Sequence, residues 1–272
     1  MSKNGLNLNM GLVMGLSGGG GKSKYLGPVD HLPILTASDE GTMAYDKGLK
    51  VPVYWDGNDW KSVIDGSTVT PNYLRFDSAG TSLIKTGHTG GGIDYSLDNG
   101  KTWHPMQKDV FIPFSTILLC GNITAMGSSF AFEGNAVDAS GDVTSLVNGR
   151  GGDVELGVSA FAIAFFNCKE LRTAPNCPST TLGNRAYQSM FSGCTNIAAF
   201  RFATLNTSKN VFDDCSSATA LTIDAVEPPT IDATTISGLK ADCAILVPAS
   251  AVAAYKAAQY WSDRADYIQA QP

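Results

Sequence analysis

Ala186-Tyr187-Gln188-Ser189-Met190-Phe191-Ser192-Gly193-Cys194-Thr195-Asn196-Ile197 is the stretch that organises this chain. Its kernel is Phe-x-x-Cys, followed three positions on by a small or aliphatic side chain. The kernel occurs as Phe165-Phe166-Asn167-Cys168 with Leu171, as Phe191-Ser192-Gly193-Cys194 with Ile197, and as Phe212-Asp213-Asp214-Cys215 with Ala218. The first two copies also align at Ala160/Ala186 and Phe161/Tyr187. Spacings of 26 and 21 residues fall in the range of leucine-rich repeats, where each coil adds a short strand and a return segment. Equivalent residues then stack at one height, and Cys serves there as a small, buried, weakly polar filler.

The same spacing argues against other uses of the six Cys (Cys120, Cys168, Cys177, Cys194, Cys215, Cys243). Zinc sites favour close Cys or His pairs, and neither C-x-x-C nor H-x-x-H occurs. The three His (His31, His88, His104) lie far from the repeats in sequence. The expectation is no metal, no cofactor and no catalytic residue. An even Cys count would suit disulfides in an exported chain, but the N-terminus is a poor signal peptide. Its apolar run is broken by Gly11 and Gly15 and no A-x-A site follows. Reduced thiols and folding in a cytoplasm are therefore expected.

Outward from the repeats, Ala244-Ile245-Leu246-Val247 reads as a last strand. Pro248 opens a helix through Val252, Tyr255 and Ala258, with Trp261 and Ile268 beyond it. Segment 248–272 is expected to cap the solenoid formed by 153–247, since short stacks need closed ends.

Before the repeats, 72–150 is β-rich, with strands around Phe76, at Ile93–Leu97, Phe111–Phe114, Thr116–Cys120 and Phe130–Phe132. Ser96-Leu97-Asp98-Asn99-Gly100-Lys101-Thr102-Trp103 fits S-x-D-x-G-x-T-W. It resembles the Asp-box of sialidases. Ser96, Asp98, Gly100, Thr102 and Trp103 would build a hairpin, the Asp bonding turn amides, the Gly permitting positive φ and the Trp packing beneath. One copy makes no propeller, so the motif reads as structural within a sandwich-like module.

In 28–66, Val51–Trp55, a turn at Asp56–Asp59 and Trp60–Val63 form a hairpin. Tyr54, Trp55 and Trp60 are either a small core or a ligand or oligomer contact. In residues 1–27, Leu6, Leu8, Met10, Leu12, Met14 and Leu16 recur at every second position before a Gly tract. Such an apolar strand must dock on something. Gly21-Lys22-Ser23 is not a phosphate loop, because Leu16 stands where the motif needs Gly. This arm carries Lys3, Lys22 and Lys24 and no acid, in a chain of net charge −6. The balance argues against a dedicated nucleic-acid binder. No apolar run of 18 residues occurs, so no spanning helix is expected.

Four resemblances follow from these residues. The block Leu35–Gly41, Tyr45-Asp46 and Pro52–Trp60 resembles short modules of bacteriophage tail and fibre proteins. The coils, with Ala186–Asn196, are similar to the BspA-type leucine-rich repeats of gut Bacteroidetes and their phages. Ile245–Val252, Tyr255–Ala258 and Trp261–Asp263 are similar to the closing segment of those proteins, and Tyr95–Gly100 with Gly141–Val143 resembles the β module that often precedes such repeats. The third coil departs from that pattern, being five residues shorter and having Ala218 at an aliphatic position.

Together these imply a mainly β, multi-module chain ending in a short α+β leucine-rich solenoid with a helical cap. They imply a virion structural protein of a phage in the manner of crAss-like phages, assembled in the host cytoplasm. The arm 1–27 would hold other virion proteins, the family implies a homotrimer, and the repeats would contact a host-surface glycan or protein, with neither nucleic acid nor membrane as partner. The alternatives are a bacterial surface adhesin and a sialidase-like hydrolase, for which Asp94 and Asp98 are the available carboxylates.

Overall fold

A computed structural model of the chain describes residues 24–272. The apolar positions Leu6–Leu16 expected to anchor the arm lie outside the described residues. The chain divides between Thr70 and Pro71 into two compact units.

The N-terminal unit is one four-stranded sheet, β1 (Tyr25–Val29), β2 (Met43–Asp46), β3 (Val51–Trp55) and β4 (Trp60–Ser62), in that order. β1 pairs parallel to β2 and the rest are antiparallel. Tyr25–Gly27 thus belong to a strand rather than to the arm in which the expected boundary at 27 placed them. The β3–β4 hairpin forms as expected. The Asp56 carboxylate accepts the amides of Asn58 and Asp59 at 2.9 and 2.8 Å, and Gly57 takes φ 99°. Such a side-chain-bonded turn is what Asp-Gly-Asn favours.

The C-terminal unit begins with β5 (Leu74–Thr86), β6 (Ile93–Ser96), β7 (His104–Pro105), β8 (Ile112–Gly121), β9 (Phe130–Glu133) and β10 (Val137–Ser140). These form one sheet in the order β10-β5-β8-β6-β7, with β9 also on β5. The sandwich expected over 72–150 has no second sheet of its own. Its inner face, with Phe76 and Phe130, packs on Phe165 instead, so one core runs on into the repeats. The short helix α1 (Ser145–Asn148) follows, ended by Gly149 in the left-handed region.

From there the chain winds in stacked coils. β11 (Ala199–Phe202), β12 (Ala220–Ile223), β13 (Ala244–Val247) and β14 (Ile268–Ala270) form a parallel sheet in sequence order. Phe200 pairs with Leu221, Leu221 with Ile245, and Ile245 with Ile268. The architecture is therefore mainly β with stacked coils.

The opposite wall is a run of tight turns. The amides of Ser159, Phe161, Ile163, Phe165 and Asn167 donate to the carbonyls of Asn184, Ala186, Gln188, Met190 and Ser192 in the next coil. The intervening amides of Ala162, Ala164, Phe166 and Cys168 donate within the coil, three residues back. Alternation of this kind turns every fourth residue left-handed: Ser159, Ile163 and Asn167, then Arg185, Ser189 and Gly193. At Gly193 a Cβ would meet the Asn167 amide oxygen at 2.0 Å, whereas the same left-handed position is held by Asn167 and Asp214 in the flanking kernels.

The shortened third coil stays in register. The side chain of Ala218 is fully buried, and four of the five missing residues come out of the loop between sheet and turn wall. That loop spans Pro178–Arg185 in one coil and only Ala203–Asn206 in the next.

Beyond β13, the expected helix is short, a single turn at Ala249–Ala251 and then α2 (Val252–Ala257). Ile268 lies in β14, extending the sheet. Tyr255 and Trp261 are buried, ring centroids 5.0 Å apart, and donate to the carbonyls of Ala225 and Pro229.

Candidate recognition surface

The repeat residues Phe165, Cys168, Leu171, Phe191, Cys194, Ile197, Phe212 and Cys215 are all buried in the one core. Phe165 stacks on Phe191 at 5.3 Å, 11° from parallel. Each Cys does more than fill space. The thiols of Cys168, Cys194 and Cys215 donate to the carbonyls of Phe130, Phe165 and Phe191, at 3.2, 3.0 and 3.2 Å. The Cys amides of the same kernels close the turn onto their own Phe carbonyl. The carbonyls of Phe165 and Phe191 therefore each take two donors, and the ladder identifies Phe130, in β9, as the Phe of a preceding coil. Spacing could not reveal it, because Phe130 has no Cys three residues on.

A coil after the third is also present. Cys215 bridges to Leu239, and Ile236-Ser237-Gly238-Leu239 replaces the Phe-Ser-Gly-Cys of 191–194. The Ser-Gly pair was the available signal. Its outer carbonyls meet Arg264, whose guanidinium donates to Leu239 at 3.0 Å, Lys240 at 2.8 Å and Ser237 at 3.2 Å. Sequence reasoning did not single out Arg264.

All six Cys are buried and none is in a disulfide. Burial, with a lesser push from nearby acids, raises the Cys120, Cys168 and Cys177 thiols well above their ordinary range. Burial raises Cys194 and Cys215 likewise, and carries Cys243 to about 11. These are inert packing thiols. Among the described residues, no group of three or more His, Cys, Asp or Glu is placed to share a metal ion.

The Asp-box residues form the β6–β7 hairpin. Ser96 Oγ donates to Asp98 at 2.8 Å and accepts the Gly100 amide at 2.8 Å. Asp98 also accepts the Thr102 amide and hydroxyl, at 2.8 and 2.7 Å. The Trp103 ring N–H donates to Gly100, and the ring lies edge-on to Tyr73, 5.0 Å between centroids, on the far face of the sheet. Burial alone would raise the Asp98 carboxyl, but these donors outweigh it and bring it down to about 2.

In the N-terminal unit, Trp55 and Trp60 are core residues, corrected from the contact role considered for them. Their ring N–H groups donate to the carbonyls of Thr36 and Pro33, each at 2.8 Å, and both rings are buried. A buried indole needs such a partner, and both found one inside the unit. Of the three aromatic candidates, Tyr54 alone is exposed.

The outer surface of the coils carries two polar grooves. One is lined by Gly134, Ala136, Lys169, Glu170, Arg172 and Asn196, with Arg172 held to Asp138 at 2.6 Å. The other is lined by Asn184, Arg185, Gln188, Thr207, Lys209 and Asp232. No helix among the described residues is long and apolar enough to cross a membrane. No family model, curated protein or solved structure matches this chain.

Proposed function

We propose that this chain is a structural protein of a bacteriophage particle, held by its N-terminal arm and presenting its coils for adhesion to a host surface. The coils are read as leucine-rich repeats of the BspA type, and 248–272 as their cap. The observation that carries this reading is the Cys-to-Phe ladder. The thiols of the repeat are all spent inside, and the coils present a shaped outer surface. Commitment of Asp98 to its hairpin supports the same reading over a hydrolase. A homotrimer would cover exposed apolar side chains of the N-terminal unit such as Tyr25, Tyr54 and Ile64.

Deletion of residues 1–23, which leaves β1 whole, tests the anchoring. The truncated chain is expected to remain folded and to be missing from purified particles. Its incorporation at the normal level would overturn the proposal, and electron microscopy of labelled particles would locate the full chain.

A further inference from the structure

We infer that the groove lined by Asn184, Arg185, Gln188, Thr207, Lys209 and Asp232 binds an acidic oligosaccharide, seating a sugar carboxylate on Arg185 and Lys209. The inference rests on the adhesion reading above and names its ligand class and site.

The groove has a volume of about 380 Å³ and draws side chains from three successive coils. That is within the span of small-ligand sites, roughly 300–1,000 Å³. Its cations are available. Among the described residues Arg185 makes no ion pair. Lys209, mostly exposed, reaches only Asp232 at 3.9 Å. The side chains of Asn184, Gln188 and Thr207 make no hydrogen bond among the described residues. In the other groove, by contrast, Arg172 is taken by Asp138 at 2.6 Å.

Two cations against one carboxylate give the groove a positive balance on a chain of net charge −6. A planar guanidinium binds a carboxylate through two parallel N–H bonds, and the amides and hydroxyl suit vicinal sugar hydroxyls. Asp232 is oriented for the same task, accepting the Thr234 amide at 3.0 Å and hydroxyl at 2.9 Å. The backbone beneath is fixed, because the Asn184 and Gln188 carbonyls accept amides of the preceding coil. Little ordering cost is left for binding. No aromatic ring lines the groove, so a neutral sugar finds no stacking face there.

The full chain would be titrated calorimetrically with galacturonate, mannuronate and hyaluronan oligomers, and with neutral galactose and glucose oligomers. Binding of at least one acidic oligomer is expected, weakening about tenfold or more in Arg185→Gln and in Lys209→Ala, and weakening as salt rises. Arg172→Ala should bind as the unaltered chain does. Both altered groove side chains are exposed, so melting temperatures should not move. Failure of every acidic oligomer to bind, equal binding of neutral oligomers, or unchanged binding by both groove variants would overturn the inference. Adsorption of the chain to bacterial cells is scored in parallel. Cells bound equally by the groove variants would remove the groove and leave adhesion standing. Oligomers bound through the groove by a chain absent from the particle would do the reverse.

Discussion

The thiol of Cys194 donates to the carbonyl of Phe165, one coil earlier, at 3.0 Å. That carbonyl already holds the Cys168 amide of its own turn. The sulfur thus ties two coils together at a place where water has no access.

Replacing Cys194 tests how much this tie contributes. Cys194→Ala removes the donor and leaves a small void, with an expected loss of roughly 1–3 kcal/mol. The urea midpoint should fall while the slope holds, since the same surface is exposed on unfolding. A midpoint within error of the unaltered chain would show the thiol to be mere filler.

The buried thiols also set an alkaline limit. A thiol whose folded pKa is raised favours the protonated native state. Its contribution is complete below the unfolded value, about 8.5, and is lost as pH climbs toward the folded value. With Cys243 at about 11 and the others raised by burial, stability should decline above about pH 9. In the native chain a thiol reagent at pH 8 should label Cys243 first and the repeat cysteines only on unfolding. Fast labelling of Cys194 would contradict the buried ladder.

Asp98 sets an acid limit of opposite sign. Its folded pKa, about 2, lies below the unfolded value of about 3.9. The hairpin's contribution is therefore present above about pH 4 and is lost as pH falls toward 2. Asp98→Asn should lower stability at pH 7 by roughly 1–2 kcal/mol and flatten this acid limb, read by melting temperature against pH. An unaltered limb would place the acid sensitivity elsewhere.

Arg264 satisfies several carbonyls in the last coil at once. Arg264→Met keeps the stem and removes every donor, at an expected cost of roughly 2–3 kcal/mol. Arg264→Lys should recover only part, since one ammonium cannot span carbonyls that a planar fork reaches. Amide exchange at residues 236–243 should quicken in both variants. If exchange there is unchanged, the last coil is held by its side chains alone.

Much of this arrangement was legible in the sequence. Three coils showed themselves because Phe and Cys recur where two coils touch, and the touching atoms admit few alternatives. The Asp-box was legible for the same reason, each residue having one hydrogen-bonding task. The flanking coils were hidden because Ile236 and Leu239 meet the same volume requirement with other side chains, and Phe130 sits in a strand that also serves the first sheet. Trp55 and Trp60 could be read as core or as contact, because residue type alone does not say which carbonyl an indole reaches. Arg264 was invisible, since its acceptors are backbone atoms and leave no mark on composition. The grooves arise from side chains in three coils, which no local pattern brings together.

The alternation of amides along the turn wall has a consequence for how such a chain can change over generations. From Ser159 to Asn167 every second donor is lent to the following coil, so each coil is completed only by its successor. Inserting or deleting one residue within the wall would put every later donor opposite a donor. Growth or loss must then come as whole turns of the spiral, or as changes in the connecting loops, and it is in a loop that the coil of Phe212 was cut short.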